Sequence, residues 1–139
     1  MSPFALLLQE SRLPWVAILG FLGEWWAVWF ALGRNFTRTW ILTLSANLVS
    51  QVFLIALVES GALEGHLPGA EAATSHPWYA WLAAWAALSL ASLGLERSVL
   101  AAWMRRWRPG WRWNRYDLWV ILSANAFWFA CAGLVLLKA

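Results

Sequence analysis

Four long apolar runs constrain this chain more than any other feature of its sequence. They cover approximately residues 13–33, 39–58, 78–103 and 117–137. A helix of about 20 apolar residues, rising 1.5 Å per residue, crosses the ~30 Å hydrocarbon core of a bilayer. The sequence therefore predicts an all-α bundle of four transmembrane helices. A shorter apolar stretch, residues 4–8, comes before the first run and either lies at the membrane interface or extends the first helix.

The composition agrees with a membrane location. Of the 139 residues, 62% are hydrophobic and 12% are charged, whereas soluble domains carry about a quarter charged residues. The sequence has no phosphate-binding glycine loop, no Cys-x-x-Cys, no His-Glu-x-x-His and no serine elbow. His66 and His76 flank Glu71 at a spacing that is weak for a metal site, and we interpret them as solvated loop residues. We predict one integral membrane domain, residues 1–139, that is not an enzyme and holds no metal.

The basic residues indicate an orientation. The connections after the first and third runs contain seven arginines, whereas the middle loop, residues 59–77, contains glutamates but neither lysine nor arginine. Positively charged loops stay on the cytoplasmic side of a membrane. We therefore predict a protein of the bacterial cytoplasmic membrane whose two termini and acidic 59–77 loop face outward, with its arginine-rich connections in the cytoplasm.

An internal similarity divides the chain into two hairpins. The tetrapeptide Leu-Ser-Ala-Asn occurs at residues 44–47 and again at 122–125, and each copy follows a run that contains one glutamate, Glu24 or Glu96. The sequence predicts repeat 1 at about 13–58 and repeat 2 at about 78–137. Each repeat has two spans, so the copies are related by a pseudo-twofold axis along the membrane normal. The glutamates and asparagines all fall near mid-bilayer.

These polar residues form the candidate intramembrane site. The predicted cluster consists of Glu24, Asn47, Glu96, Asn125, Ser45 and Ser123. Small and hydroxyl residues at helical spacing beside the glutamates predict that the cluster faces the bundle interior. We expect at least one glutamate to be protonated and to donate its hydroxyl to an Asn or Ser oxygen. Arg97 has three candidate partners: Glu96 on its own helix, Glu24, and a second chain.

Three interpretations of the cluster remain open at this point. The hydrogen bonds fix the register of each hairpin, or the oxygens bind a proton or a hard cation such as sodium, or the site holds a lipid headgroup, a quinone or a pigment.

A basic, tryptophan-rich connection forms a second candidate site. Interleaved Arg and Trp side chains suit anionic lipid headgroups or the cytoplasmic face of a partner subunit. So short a segment, fixed to the membrane at both ends, does not favour nucleic acid. The predicted docking residues are Arg105, Arg106, Arg108, Trp111, Arg112 and Arg115.

The repeated Glu and Leu-Ser-Ala-Asn pattern resembles a group of small uncharacterised bacterial four-span membrane proteins, with a Glu in odd helices and Ala-Asn in even ones. The resemblance covers both hairpins and implies a fold but no activity. We expect a non-catalytic subunit or accessory factor of a larger membrane complex, in contact with lipids and with other membrane subunits or further copies of itself. The alternative is a proton- or cation-coupled carrier that uses the Glu and Asn cluster. No cofactor is required by the sequence; bound lipid is expected, and a pigment or a quinone is compatible with the deep tryptophans.

Overall fold

The computed structural model describes residues 2–61 and 78–138 and has five α-helices there. They are α1 (Pro3–Glu10), α2 (Pro14–Leu32), α3 (Phe36–Glu59), α4 (Trp78–Trp107) and α5 (Arg115–Lys138). Helices α2 to α5 are long and apolar enough to cross a membrane, which confirms the all-α prediction with four spans. Residues 62–77 of the predicted loop, with both histidines, lie outside the described residues.

Short connections make two antiparallel hairpins. Between α2 and α3, Gly33 has a φ of 133°, and the Asn35 side chain caps α3 by accepting a hydrogen bond of 3.0 Å from the Arg38 amide. Between α4 and α5, Gly110 has a φ of 88° and the Trp111 amide bonds to the Arg108 carbonyl at 3.0 Å. Both glycines adopt backbone angles that side chains disfavour, so these turns are fixed by the sequence.

The two hairpins close into a ring of four helices. Helix α2 packs against α3 and α5, and α4 also packs against α3 and α5. We call the end at which α2 and α4 finish the arginine-rich end, because both connections with arginines lie there. The end at which α3 finishes and α4 begins is the opposite end.

The core has three layers along the bundle axis. One apolar cluster lies toward the arginine-rich end and includes Val28, Leu42, Leu100 and Ile121. A second apolar cluster lies toward the opposite end. Buried polar side chains separate the two clusters, and we call them the polar layer: Glu24, Asn47, Ser50, Ser89, Ser92, Glu96 and Asn125.

Helix α1 is a separate element and does not extend the first span. Its chain turns at Ser11, and α2 begins afresh at Pro14. The apolar side chains of α1 are buried against α4 and α5 in the apolar cluster of the opposite end. The Ser11 carbonyl also accepts a hydrogen bond of 3.0 Å from Trp128 Nε1. Helix α1 is therefore part of the core.

Candidate functional site: a buried polar layer

Each spanning helix contributes one strongly polar side chain to the same layer. Glu24 lies on α2, Asn47 on α3, Glu96 on α4 and Asn125 on α5, and all four are buried. The small-residue stripe of α2 also faces inward, since Gly20 and Ala27 are buried on either side of Glu24. The structure therefore brings together the two glutamates and the two asparagines of the predicted cluster.

The first hairpin pairs Glu24 with Asn47. Asn47 Nδ2 donates to Glu24 Oε2 and also to the Thr43 carbonyl, at 3.0 Å. Glu24 Oε1 and Asn47 Oδ1 are buried and have no hydrogen-bond partner among the described residues. A buried polar atom without a partner loses its hydration without compensation. These two oxygens are therefore the least satisfied part of the polar layer.

The second hairpin pairs Glu96 with Asn125. Asn125 Nδ2 donates to Glu96 Oε2 at 2.7 Å and to the Ile121 carbonyl at 3.2 Å. The Ser50 hydroxyl lies 3.3 Å from Glu96 Oε1 and 3.1 Å from the Asn47 carbonyl, and it has one proton to donate to either of them. Because Ser50 lies on α3, its contact with Glu96 joins the first hairpin to the second. Each oxygen of Glu96 thus has a polar group within hydrogen-bond distance.

The difference between the two pairs bears on protonation. A protonated carboxyl carries one donor, whereas a carboxylate only accepts. If Glu24 is protonated, its hydroxyl becomes a donor, and Asn47 Oδ1 is an unpaired acceptor on the same pair of residues. Glu96 Oε2 already accepts from Asn125, and Glu96 Oε1 faces the Ser50 hydroxyl, which can donate or accept. The unpaired oxygens therefore make Glu24 the more suitable position for one proton, and the protonation of a glutamate stays a prediction.

The two serines of the repeated motif do not join the layer. The Ser45 hydroxyl donates to the Ile41 carbonyl at 2.7 Å, and the Ser123 hydroxyl donates to the Trp119 carbonyl at 2.8 Å. Ser45 is half-buried and Ser123 is exposed. Serine in a helix commonly bonds to the carbonyl one turn earlier, so including these two residues in the cluster was wrong.

The predicted cluster also omitted Ser50, which lies one turn after Asn47 on the same face of α3. Trp128 lies one turn after Asn125 in the same way, and its ring lies over Gly20. A Cβ atom built on Gly20 would be 2.2 Å from Trp128 Cδ2. Helical spacing places both side chains on the inner face. Their partners on other helices depend on how the helices pack.

Arg97 lies on the outer surface, although it is next to the buried Glu96. Its side chain is exposed, and it has no ion pair, hydrogen bond or ring partner among residues 2–61 and 78–138. Of its three expected partners, the structure thus excludes Glu24 and Glu96. An arginine near the middle of a membrane helix costs about 2.5–3.5 kcal/mol on insertion scales, so an anionic partner from outside the bundle would stabilise it.

The basic connection is accessible. Its predicted docking residues are exposed, apart from the half-buried Trp111, and they are Arg105, Arg106, Arg108, Arg112 and Arg115. Arg38, in the first turn of α3, lies 5.2 Å from the centroid of the ring of Trp107, the final residue of α4. This cation–π contact joins the two helices at the arginine-rich end.

The described residues contain no group of three or more His, Cys, Asp and Glu side chains that could hold a metal ion. No known protein family, curated protein or solved structure matches this chain.

Proposed function

We propose that this protein is a small non-catalytic membrane protein that acts as a subunit or accessory factor of a larger membrane assembly. One observation carries the proposal: a group of aromatic side chains on the outer surface of α2 and α5. This aromatic ridge consists of Trp26, Phe30, Tyr116 and Trp119, all exposed. In the proposed setting, the protein lies in the bacterial cytoplasmic membrane with its arginine-rich end in the cytoplasm.

The ridge has the properties of a contact surface. Trp26 stacks on Phe30 with ring centroids 5.7 Å apart, and Phe30 lies 6.3 Å from Tyr116. Trp26 and Trp119 are 57% and 67% exposed, so their rings project from the bundle. Rigid aromatic side chains lose little conformational freedom on binding and dominate the cores of protein interfaces.

The interior of the bundle supports a role that depends on the surface. Asn47 and Asn125 hold Glu24 and Glu96 within each hairpin, and Ser50 joins the hairpins. Three of the cavities on the described part of the chain, of about 60, 470 and 610 Å³, are lined by residues outside the polar layer. In this proposal the polar layer fixes how the hairpins pack, and the ridge binds the partner.

Purification from native membranes in a mild detergent, followed by mass analysis, tests the proposal. We expect larger membrane subunits to copurify in a fixed ratio with the wild-type chain. Trp26→Ala should reduce their yield severalfold, with the yield of the chain itself unchanged. Leu48→Ala is the matched control, because Leu48 is 67% exposed on α3 and lies outside the ridge. A chain that purifies with lipid alone, or equal losses in both variants, would refute the proposal.

A second candidate function follows from the unpaired oxygens of Glu24 and Asn47. Two buried acceptors with no donor suit a proton or a hard cation, which supports a proton- or cation-coupled carrier. Glu24→Gln replaces the protonated carboxyl with a neutral amide of similar shape. If the protein is a carrier, this variant should fold normally but lose proton or sodium flux in proteoliposomes. A wild-type protein without flux would exclude a carrier.

A further inference from the structure

A cavity of about 470 Å³ lies along the outer surface of α4 toward the arginine-rich end. The helix contributes Gly94, Arg97, Ser98, Ala102 and Arg105 to its wall, and the connection to α5 contributes Trp113. None of these residues belongs to the polar layer or to the aromatic ridge. The cavity is therefore a separate feature of the surface.

The polar groups that line this cavity favour an anion. Arg97 and Arg105 bring two guanidinium groups, and no acidic residue is among the lining residues. Trp113 Nε1 is buried and has no acceptor within the described ranges. The Ser98 hydroxyl is already bonded to the Gly94 carbonyl at 3.3 Å. A ligand with several oxygen acceptors and a negative charge would pair with these free donors.

The position and shape of the cavity also favour a ligand with an apolar part. Arg97 and Arg105 are eight residues apart, about 12 Å along a helix, so the cavity runs from within the span to the level of the connection. Between them the wall is made of small side chains. A Cβ atom at Gly94 would have nothing within 4 Å. Such a groove can hold a hydrocarbon chain beside α4.

We propose that this cavity binds one anionic phospholipid, with its phosphate between Arg97, Arg105 and the Trp113 indole and an acyl chain along Gly94 and Ala102. The phosphate supplies the countercharge that Arg97 lacks. Basic pockets between membrane helices on the cytoplasmic side bind headgroups of this class. The leaflet is the one next to the arginine-rich end, which the charge distribution predicts to be cytoplasmic. This proposal is independent of the proposed subunit role.

Native mass spectrometry of the delipidated full chain in detergent tests the site. Phosphatidylglycerol and phosphatidylcholine with the same acyl chains are titrated separately, and inorganic phosphate is a third arm. We expect one phosphatidylglycerol to bind more tightly than phosphatidylcholine, and phosphate alone to bind too weakly to compete. Arg97→Gln should weaken phosphatidylglycerol binding about fivefold, the effect of one arginine near an anionic surface.

Two further variants separate a defined site from general attraction to a basic protein. Gly94→Leu should block the groove without disturbing the fold, since the space beside Gly94 is open. Arg34→Gln is the charge control, because Arg34 is exposed at the same end and lies outside both the cavity and the predicted docking residues. Equal binding of the two lipids, or equal losses for Arg97→Gln and Arg34→Gln, would overturn the proposal. An adduct at this face with the mass of a protein would also overturn it. The same holds if inorganic phosphate competes for the site as well as phosphatidylglycerol does.

Discussion

The contact between Gly20 and Trp128 gives the sharpest test of the packing. In Gly20→Ala the new methyl group would lie 2.2–2.5 Å from three atoms of the Trp128 ring. The ring has no room to move, because it is 6% exposed and its Nε1 is bonded to the Ser11 carbonyl. The substitution must therefore displace the ring, separate α2 from α5, or break the bond to Ser11.

The expected loss of stability is about 1–3 kcal/mol. Inserting a methyl group into a packed core costs about 1–3 kcal/mol, and loss of the bond to Ser11 adds about 1 kcal/mol. Against this, the higher helix propensity of alanine than of glycine stabilises the protein by up to about 1 kcal/mol. The measurement is the midpoint of unfolding in mixed detergent micelles with increasing dodecyl sulfate, followed by far-ultraviolet circular dichroism.

Two companion variants make the result interpretable. Gly94→Ala is the control, because its methyl group meets open space, and it should leave stability unchanged or raise it by up to about 1 kcal/mol. The double variant of Gly20→Ala with Trp128→Leu should lose less than the sum of its parts, since the smaller side chain leaves room. Wild-type stability for Gly20→Ala, or strictly additive losses, would show that the ring does not lie over Gly20.

Three further predictions concern the hydrogen bonds of the core. Asn125→Ala should destabilise the protein by about 1–3 kcal/mol, because Glu96 Oε2 loses its Asn125 donor inside the core; a smaller loss in dodecyl sulfate unfolding would contradict the pairing. Trp128→Phe removes the bond to Ser11 and should cost about 1 kcal/mol, with faster hydrogen exchange in α1 as the local readout. Ser123→Ala should change stability by less than about 0.5 kcal/mol, and a larger loss would place its hydroxyl in the core.

The spans and the inward face of each were predictable from the sequence. Hydropathy located α2 to α5, and helical spacing placed Glu24, Asn47, Glu96 and Asn125 inside, where the structure has them. Helix α4 continues to Trp107, four residues beyond the predicted run. Its backbone hydrogen bonds stay within the helix and do not require apolar side chains, so hydropathy marks where a membrane span ends and not where the helix ends.

The contacts between helices were less predictable. The motif suggested that Ser45 acts with Asn47, but a serine hydroxyl can reach its own helix backbone, and that bond gives no signal in the sequence. The burial of Phe4 and Leu7 depends on α4 and α5, which lie far along the chain. Local periodicity describes one helix at a time, so it could not assign α1 to the core.

The bond from Trp128 to Ser11 joins residues 117 positions apart, and it sets the order in which the chain can be assembled. During synthesis α1 emerges before α4 and α5, which form its binding surface. Long-range contacts of this kind form late in folding. Docking of α1 therefore requires α4 and α5 to be in place, and a chain in which α5 is not inserted would keep α1 undocked.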